Sequence, residues 1–215
     1  MTGDSSLRRG AQSRRELTAI AIDCFSRFGF QGTSVERIAR EAGVTKGAIY
    51  YHFRDKRDLL AAAVADRIAE FEQRVTRACR GVDPEEALRR IGRVCVEHAR
   101  SDDRPRFILT LLVETIETDP EVAAQLRAMM RRFRAFLRNL IQQGIAQGRF
   151  RRDIDAEAVA ASYTSSVLGA EIQFYQDPER FAFEESVETA IDHLLEAIRS
   201  PRCLAPRSEE DSPLD

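Results

Sequence analysis

The chain has 215 residues, 43% of them hydrophobic and 32% charged, with 33 basic and 35 acidic side chains and a formal net charge of −2. That mixture suits a folded chain with a core and excludes a disordered or collagen-like one. No run of 18 apolar residues exists, no apolar stretch follows the N-terminus, and Cys24, Cys79, Cys95 and Cys203 form no CxxC pair. The expectation is a cytoplasmic protein with reduced thiols and without a membrane span, disulfide framework, metal site or cofactor.

The charge is unevenly spread. Residues 1–60 carry 11 basic and 7 acidic side chains, and the remainder 22 and 28. A positive head on an acidic chain points to an anionic partner at the N-terminal end. Of the basic residues 31 are Arg, and the only two lysines, Lys46 and Lys56, both fall in that head.

Apolar periodicity is helical along the chain, so the fold is read as all-α with about nine helices. Residues 1–12 are small and polar and read as a flexible arm. Ser13 or Arg14 opens the first helix, with Leu17, Ile20, Ala21, Cys24, Phe25 and Phe28 on one face and Gly29 at its end. Thr33-Ser-Val-Glu36 reads as a capping box that opens a short second helix, stopped at Gly43. Thr45 caps a third, to about Phe53, and Asp55 caps a fourth, to about Arg80. Further helices are read at 84–101, 105–117, 120–147, 155–175 and 184–199, with Asp119-Pro120 as an N-cap followed by Pro. Residues 13–58 thus form a three-helix domain, 59–199 a larger helical domain, and 200–215 a disordered tail.

The second and third helices, joined by Ala39-Arg-Glu-Ala-Gly43-Val44-Thr45, form a helix-turn-helix. Ala39 is small where the helices cross, Gly43 takes the positive-φ turn position, and Val44 plugs the turn into the core. The third helix is then the one that enters a DNA major groove. Thr45 caps it where a phosphate approaches. Gly47 and Ala48 let the backbone come close to the bases. Lys46 and Tyr51 are placed for base edges, and Tyr50, His52 and Lys56 for phosphates. Two adjacent tyrosines on a helix cannot both point inward.

From Gly29-Phe-Gln-Gly-Thr-Ser-Val-Glu-Arg-Ile-Ala-Arg-Glu-Ala-Gly-Val-Thr-Lys-Gly-Ala-Ile-Tyr-Tyr-His-Phe53 through Lys56 and Leu59-Leu60, the chain resembles the TetR family of bacterial transcriptional regulators. The resemblance spans about 50 residues and implies a homodimer that binds a palindromic operator in double-stranded DNA. It further implies a C-terminal domain that binds a small molecule, and a fourth helix whose movement releases the DNA. Most members are repressors.

Beyond the head, Phe107, Leu111, Glu114, Met130, Phe133, Leu137, Tyr163 and Phe174 are candidates for an effector pocket. Their apolar character suggests a lipophilic effector; the plainer alternative for each is bundle core. Ser166, Gly169 and Ala170 on the eighth helix, with Ile191, Leu194, Leu195 and Ile198 on the ninth, are candidates for a dimer face built as a four-helix bundle. The alternative is that these stripes complete the core of one chain. No HExxH, P-loop, GxSxG or Glu-x-x-His pattern is present, so the chain is not read as an enzyme. The rival to a ligand-responsive repressor is a DNA-binding protein of the same fold with no small-molecule switch.

Overall fold

A computed structural model describes the backbone of residues 3–101 and 104–200, and the side chains of these residues except 3–13 and 113–118. Among the described residues there are nine helices and no strand: α1 (Gly3–Gly32), α2 (Val35–Glu41), α3 (Lys46–His52), α4 (Lys56–Ala78), α5 (Pro84–Ser101), α6 (Arg104–Thr118), α7 (Pro120–Ala146), α8 (Ala156–Gln176) and α9 (Phe183–Ile198). The expected all-α architecture is therefore observed, with most ends within two residues of the sequence reading. The largest departure is α1, which begins at Gly3 where a flexible arm was expected. Its break at Gly29 is where the sequence put it, with φ 70° and ψ 167°, but one more turn follows. The expected tail, apart from Ser200, lies outside the described residues.

The chain divides into two compact units, Met1–Arg74 with Glu97–Arg131, and Val75–Val96 with Arg132–Asp215. This differs from the expected division at residue 58, because most of α4 packs with the head. In the first unit Leu17, Ala21, Cys24 and Phe25 of α1 meet Val35, Ile38 and Ala39 of α2 and Ile49 of α3. Phe53, Leu59, Leu60, Val64 and Ile68 join the same cluster, with Leu111 of α6 and Val122 and Leu126 of α7. Two seven-residue helices are too short to stand alone in water. They are held because this apolar seam buries one face of each.

In the second unit α8 and α9 pack along their lengths, burying Tyr163, Val167 and Ala170 on one and Val187, Ile191, Leu195 and Ile198 on the other. Two glycines permit close approach there. A methyl at Gly92 would stand 2.2 Å from Ile191 Cδ1, and one at Gly144 would stand 2.1 Å from the Phe150 ring. Phe150 closes the turn after α7 and pairs with Arg199 in an isolated antiparallel bridge. The Arg199 guanidinium in turn is ion-paired with Glu85 of α5.

Candidate nucleic-acid interface

The turn between α2 and α3 is built as the sequence implied. Gly43 has φ 64°, and its neighbours close the turn through the Gly43 amide to the Arg40 carbonyl (3.2 Å) and the Val44 amide to the Ala39 carbonyl (3.0 Å). Thr45 Oγ1 accepts the Ala48 amide at 3.2 Å, which caps α3. The α2 cap differs from the expectation. Ser34 is the N-cap and accepts the Arg37 amide at 3.2 Å. Thr33 is buried, its hydroxyl 2.7 Å from the Gly29 carbonyl and 3.1 Å from that of Cys24. Two adjacent hydroxyls competed for one cap, and the buried one went to the broken end of α1 because a buried hydroxyl needs a partner. Glu36 then falls one position early for a capping box. Val44 is corrected too: it is 40% exposed, and Ile49 supplies the apolar anchor of this region.

Helix α3 has one buried face and one open face. Ile49 is 1% exposed, while Tyr50 is 45% and Tyr51 84% exposed. Lys46 and Gly47 are also exposed, and Ala48 and His52 are half-buried. Lys46 and Tyr50, four apart, share a strip, with the Lys46 ammonium 5.6 Å from the Tyr50 ring centre. The Tyr51 ring meets His52 edge-on at 5.0 Å. At Gly47 an added methyl would touch only Thr45 Oγ1, at 3.8 Å. Packing within the chain therefore does not require glycine there. Large exposed aromatics and a glycine that packing does not require make this face a candidate binding surface.

The lysines differ from each other. Lys46 is ion-paired with Glu36 of α2, and that pair holds the Glu36 carboxyl below its usual range. The sequence reading missed Glu36 because it assigned the residue to the capping box; its place beside the head of α3 emerges only once Ser34 is the cap. The Lys56 ammonium turns inward. It donates to the carbonyls of Phe30 (2.9 Å) and Thr33 (3.0 Å) and lies 4.2 Å from the Phe30 ring centre. Two of its three N–H bonds thus tie the start of α4 to the α1–α2 junction, where the sequence expected a phosphate donor. Asp55 Oδ1 accepts the Arg57 and Asp58 amides, capping α4 as expected. The exposed Phe28, expected on the apolar face of α1, is covered by the Arg37 guanidinium at 4.1 Å.

The expected effector residues are dispersed. Phe107 stacks on Phe25 at 6.3 Å, and Phe174 on Phe183 at 4.8 Å. Leu111, Leu137 and Tyr163 are core residues, the last donating its hydroxyl to the Leu88 carbonyl at 2.7 Å. Met130 and Phe133 are half-buried, and the Glu114 side chain lies outside the described residues. Concavities bounded by described residues include two that none of the eight lines. One, of about 190 Å³, lies between α5 and α9 among Arg89, Arg93, Glu184, Glu188 and Asp192. The other, of about 330 Å³, lies beside α1 and α4 among Arg15, Asp66, Arg67, Glu70 and Arg104.

The expected dimer face is also divided. Ala170, Ile191, Leu195 and Ile198 are buried within the chain itself, because α8 and α9 pack on each other. They are core and are corrected as such. Ser166 remains exposed, and Gly169 and Leu194 half-exposed. An added methyl at Gly169 would meet nothing within 4 Å. No helix among the described residues is long and apolar enough to cross a membrane. Among the same residues no group of His, Cys, Asp or Glu is placed to hold a metal.

A helix-turn-helix whose second helix turns polar and aromatic side chains outward defines a DNA-binding class of protein. Comparison with known proteins makes this specific. Residues 17–63 match the model of bacterial regulatory proteins of the tetR family, and residues 84–199 match the C-terminal model of BetI-type transcriptional repressors. The chain belongs to the TetR family of DNA-binding transcription regulators. It is similar to the HTH-type transcriptional repressor AcnR of Corynebacterium efficiens, with 26% identity over 200 residues, 93% of this chain and 97% of that protein. It is 33% identical to the HTH-type transcriptional regulator AcrR of Shigella flexneri over 115 residues, about half of each chain. A TetR transcriptional regulator from Chloroflexus aurantiacus is 27% identical, with a TM-score of 0.77 over 90% of this chain and 99% of that one. SmeT, the repressor of the Stenotrophomonas maltophilia multidrug efflux pump SmeDEF, is 23% identical and shares the fold with a TM-score of 0.70, over 94% and 97% of the two chains.

Proposed function

We propose that this regulator is a cytoplasmic repressor that binds a palindromic operator as a homodimer, one α3 per half-site, and that a small lipophilic effector releases it. The observation that carries the DNA contact is the open face of α3, with Tyr50 and Tyr51 exposed directly beside the buried Ile49. Lys46 and Tyr51 reach base edges, Tyr50 and His52 meet phosphates, Gly47 and Ala48 let the backbone close on the groove, and Thr45 fixes the start of the helix. Lys56 positions the head through the α1–α2 junction. Pairing of two copies through the outer faces of α8 and α9 would use Ser166, Gly169 and Leu194; Gly169, unforced by its own chain, supports close approach of a second helix. The effector class rests on Phe107, Ile108, Leu112 and Met129, apolar residues of α6 and α7 that are only partly buried against the core.

One observation favours a second reading, a regulator of this fold without a small-molecule switch: the concavity between α5 and α9 is bounded largely by charged side chains, and five charged side chains also line the one beside α1 and α4. Footprinting on the DNA flanking the protein's own gene, with and without a panel of lipophilic metabolites and drugs, separates the two. The first reading predicts a symmetric protected site that at least one compound abolishes. Protection unchanged by every compound supports the second, and no protected site contradicts both.

A further inference from the structure

The ion pair between Glu36 and Lys46 has a place in the fold that packing does not account for. Both side chains are about half exposed. Glu36 is the second residue of α2 and Lys46 the first of α3. The pair therefore spans the open side of the helix-turn-helix, at the end of α3 that faces base edges in this class of motif. An exposed pair contributes little to stability. The carboxylate nonetheless neutralises one of the few cations that this face offers to a polyanion.

We propose that Glu36 is a specificity-determining residue that holds Lys46 in reserve, suppressing non-specific binding to DNA phosphates until a matching base edge takes the ammonium. The inference rests on the reading of α3 as the DNA-contacting helix. Its logic is that of discrimination by penalty. On random sequence, Lys46 gains only a phosphate in exchange for a carboxylate, two acceptors of like charge, while Glu36 is left facing the phosphate backbone. On the right sequence a guanine edge supplies O6 and N7 acceptors. The exposed Tyr50 ring beside Lys46 steadies the side chain in either position.

The test uses the full chain and two probes: a random-sequence duplex, and the duplex that the wild-type protein selects from a randomised library. Glu36→Gln keeps the shape of the side chain and removes its charge. It should tighten binding to random DNA about fivefold at 0.15 M salt and steepen the salt dependence by about one ion. The selected duplex should gain less, so the ratio between the two probes falls. In a Lys46→Ala background the Glu36→Gln gain should vanish, since no ammonium is left to release. Equal gains on both probes, a gain that persists without Lys46, or no gain at all would each overturn the proposal. A wild-type chain that selects no sequence and binds neither probe would instead overturn the DNA-reading role of α3 on which it rests.

Discussion

Tyrosine serves opposite ends in the two units. In the first, Tyr50 and Tyr51 stand exposed on a seven-residue helix. In the second, Tyr163 is 1% exposed, and its hydroxyl is bonded to the Leu88 carbonyl. Burial, reinforced by the nearby Cys95 and Cys79 thiols, pushes the Tyr163 phenol well above its usual range. Glycine divides in the same way. Gly43 and Gly47 of the first unit serve a turn and an open surface, whereas Gly92 and Gly144 of the second make room for Ile191 and Phe150. A residue whose form the chain's own packing explains is structural; one that packing leaves unexplained is where a partner belongs.

Substitutions at these positions sharpen the contrast. The largest effect is expected at Gly144, where a methyl would meet a buried ring with no room to turn. Gly144→Ala should lower stability by about 3 kcal/mol in urea unfolding. Gly92→Ala should lower it less, because the tip of Ile191 can rotate away. Equal costs at the two sites would show that close approach to the ring is not what fixes Gly144.

Lys56 comes next. It lies in the positive head, yet its bonds are internal. Lys56→Met removes two charge-assisted bonds to carbonyls and should cost about 2 kcal/mol, with the melting temperature lower by several degrees. DNA affinity should fall for every sequence as the head loses its tie to α4. A melting temperature equal to that of wild type would return Lys56 to the surface role that the sequence suggested.

A pH-dependent effect belongs to Glu171 of α8. Burial pushes its carboxyl up to about 7, against 4.5 unperturbed, although Tyr175 donates to it at 3.0 Å and opposes the shift. The folded chain therefore holds this proton at pH values where the unfolded chain has released it. Stability from this group is full below about pH 4.5 and falls, by about 3 kcal/mol, as pH rises through 7. Glu171→Gln should flatten that part of the stability–pH curve. A wild-type curve already flat between pH 5 and 7 would contradict the shift.

The head was legible in the sequence because its parts are local. The Gly43 turn and the Thr45 cap depend on neighbours within a few residues, and both are found as read. The rest depended on longer reach. Whether Thr33 or Ser34 would cap α2 turned on a carbonyl nine residues back, at Cys24. The inward turn of Lys56 depended on the broken end of α1, 23 and 26 residues away. On α8 and α9 an apolar stripe looks the same whether it meets another helix of its own chain or a second copy. Ala170, Ile191, Leu195 and Ile198 proved to be the former. Effector residues were the least legible, since an apolar side chain in a bundle carries no mark of whether a cavity lies beside it.

The central claim is that the open face of α3 reads DNA, and Tyr51 tests it most directly. At 84% exposure it contributes nothing to the core, so Tyr51→Ala should leave stability within about 0.5 kcal/mol of wild type. The measurement is a repeat of the library selection with this variant, alongside its unfolding curve. The expected result is unchanged unfolding with an altered or lost base preference at the same positions of each half-site. Selection of the wild-type sequence with wild-type affinity would contradict it.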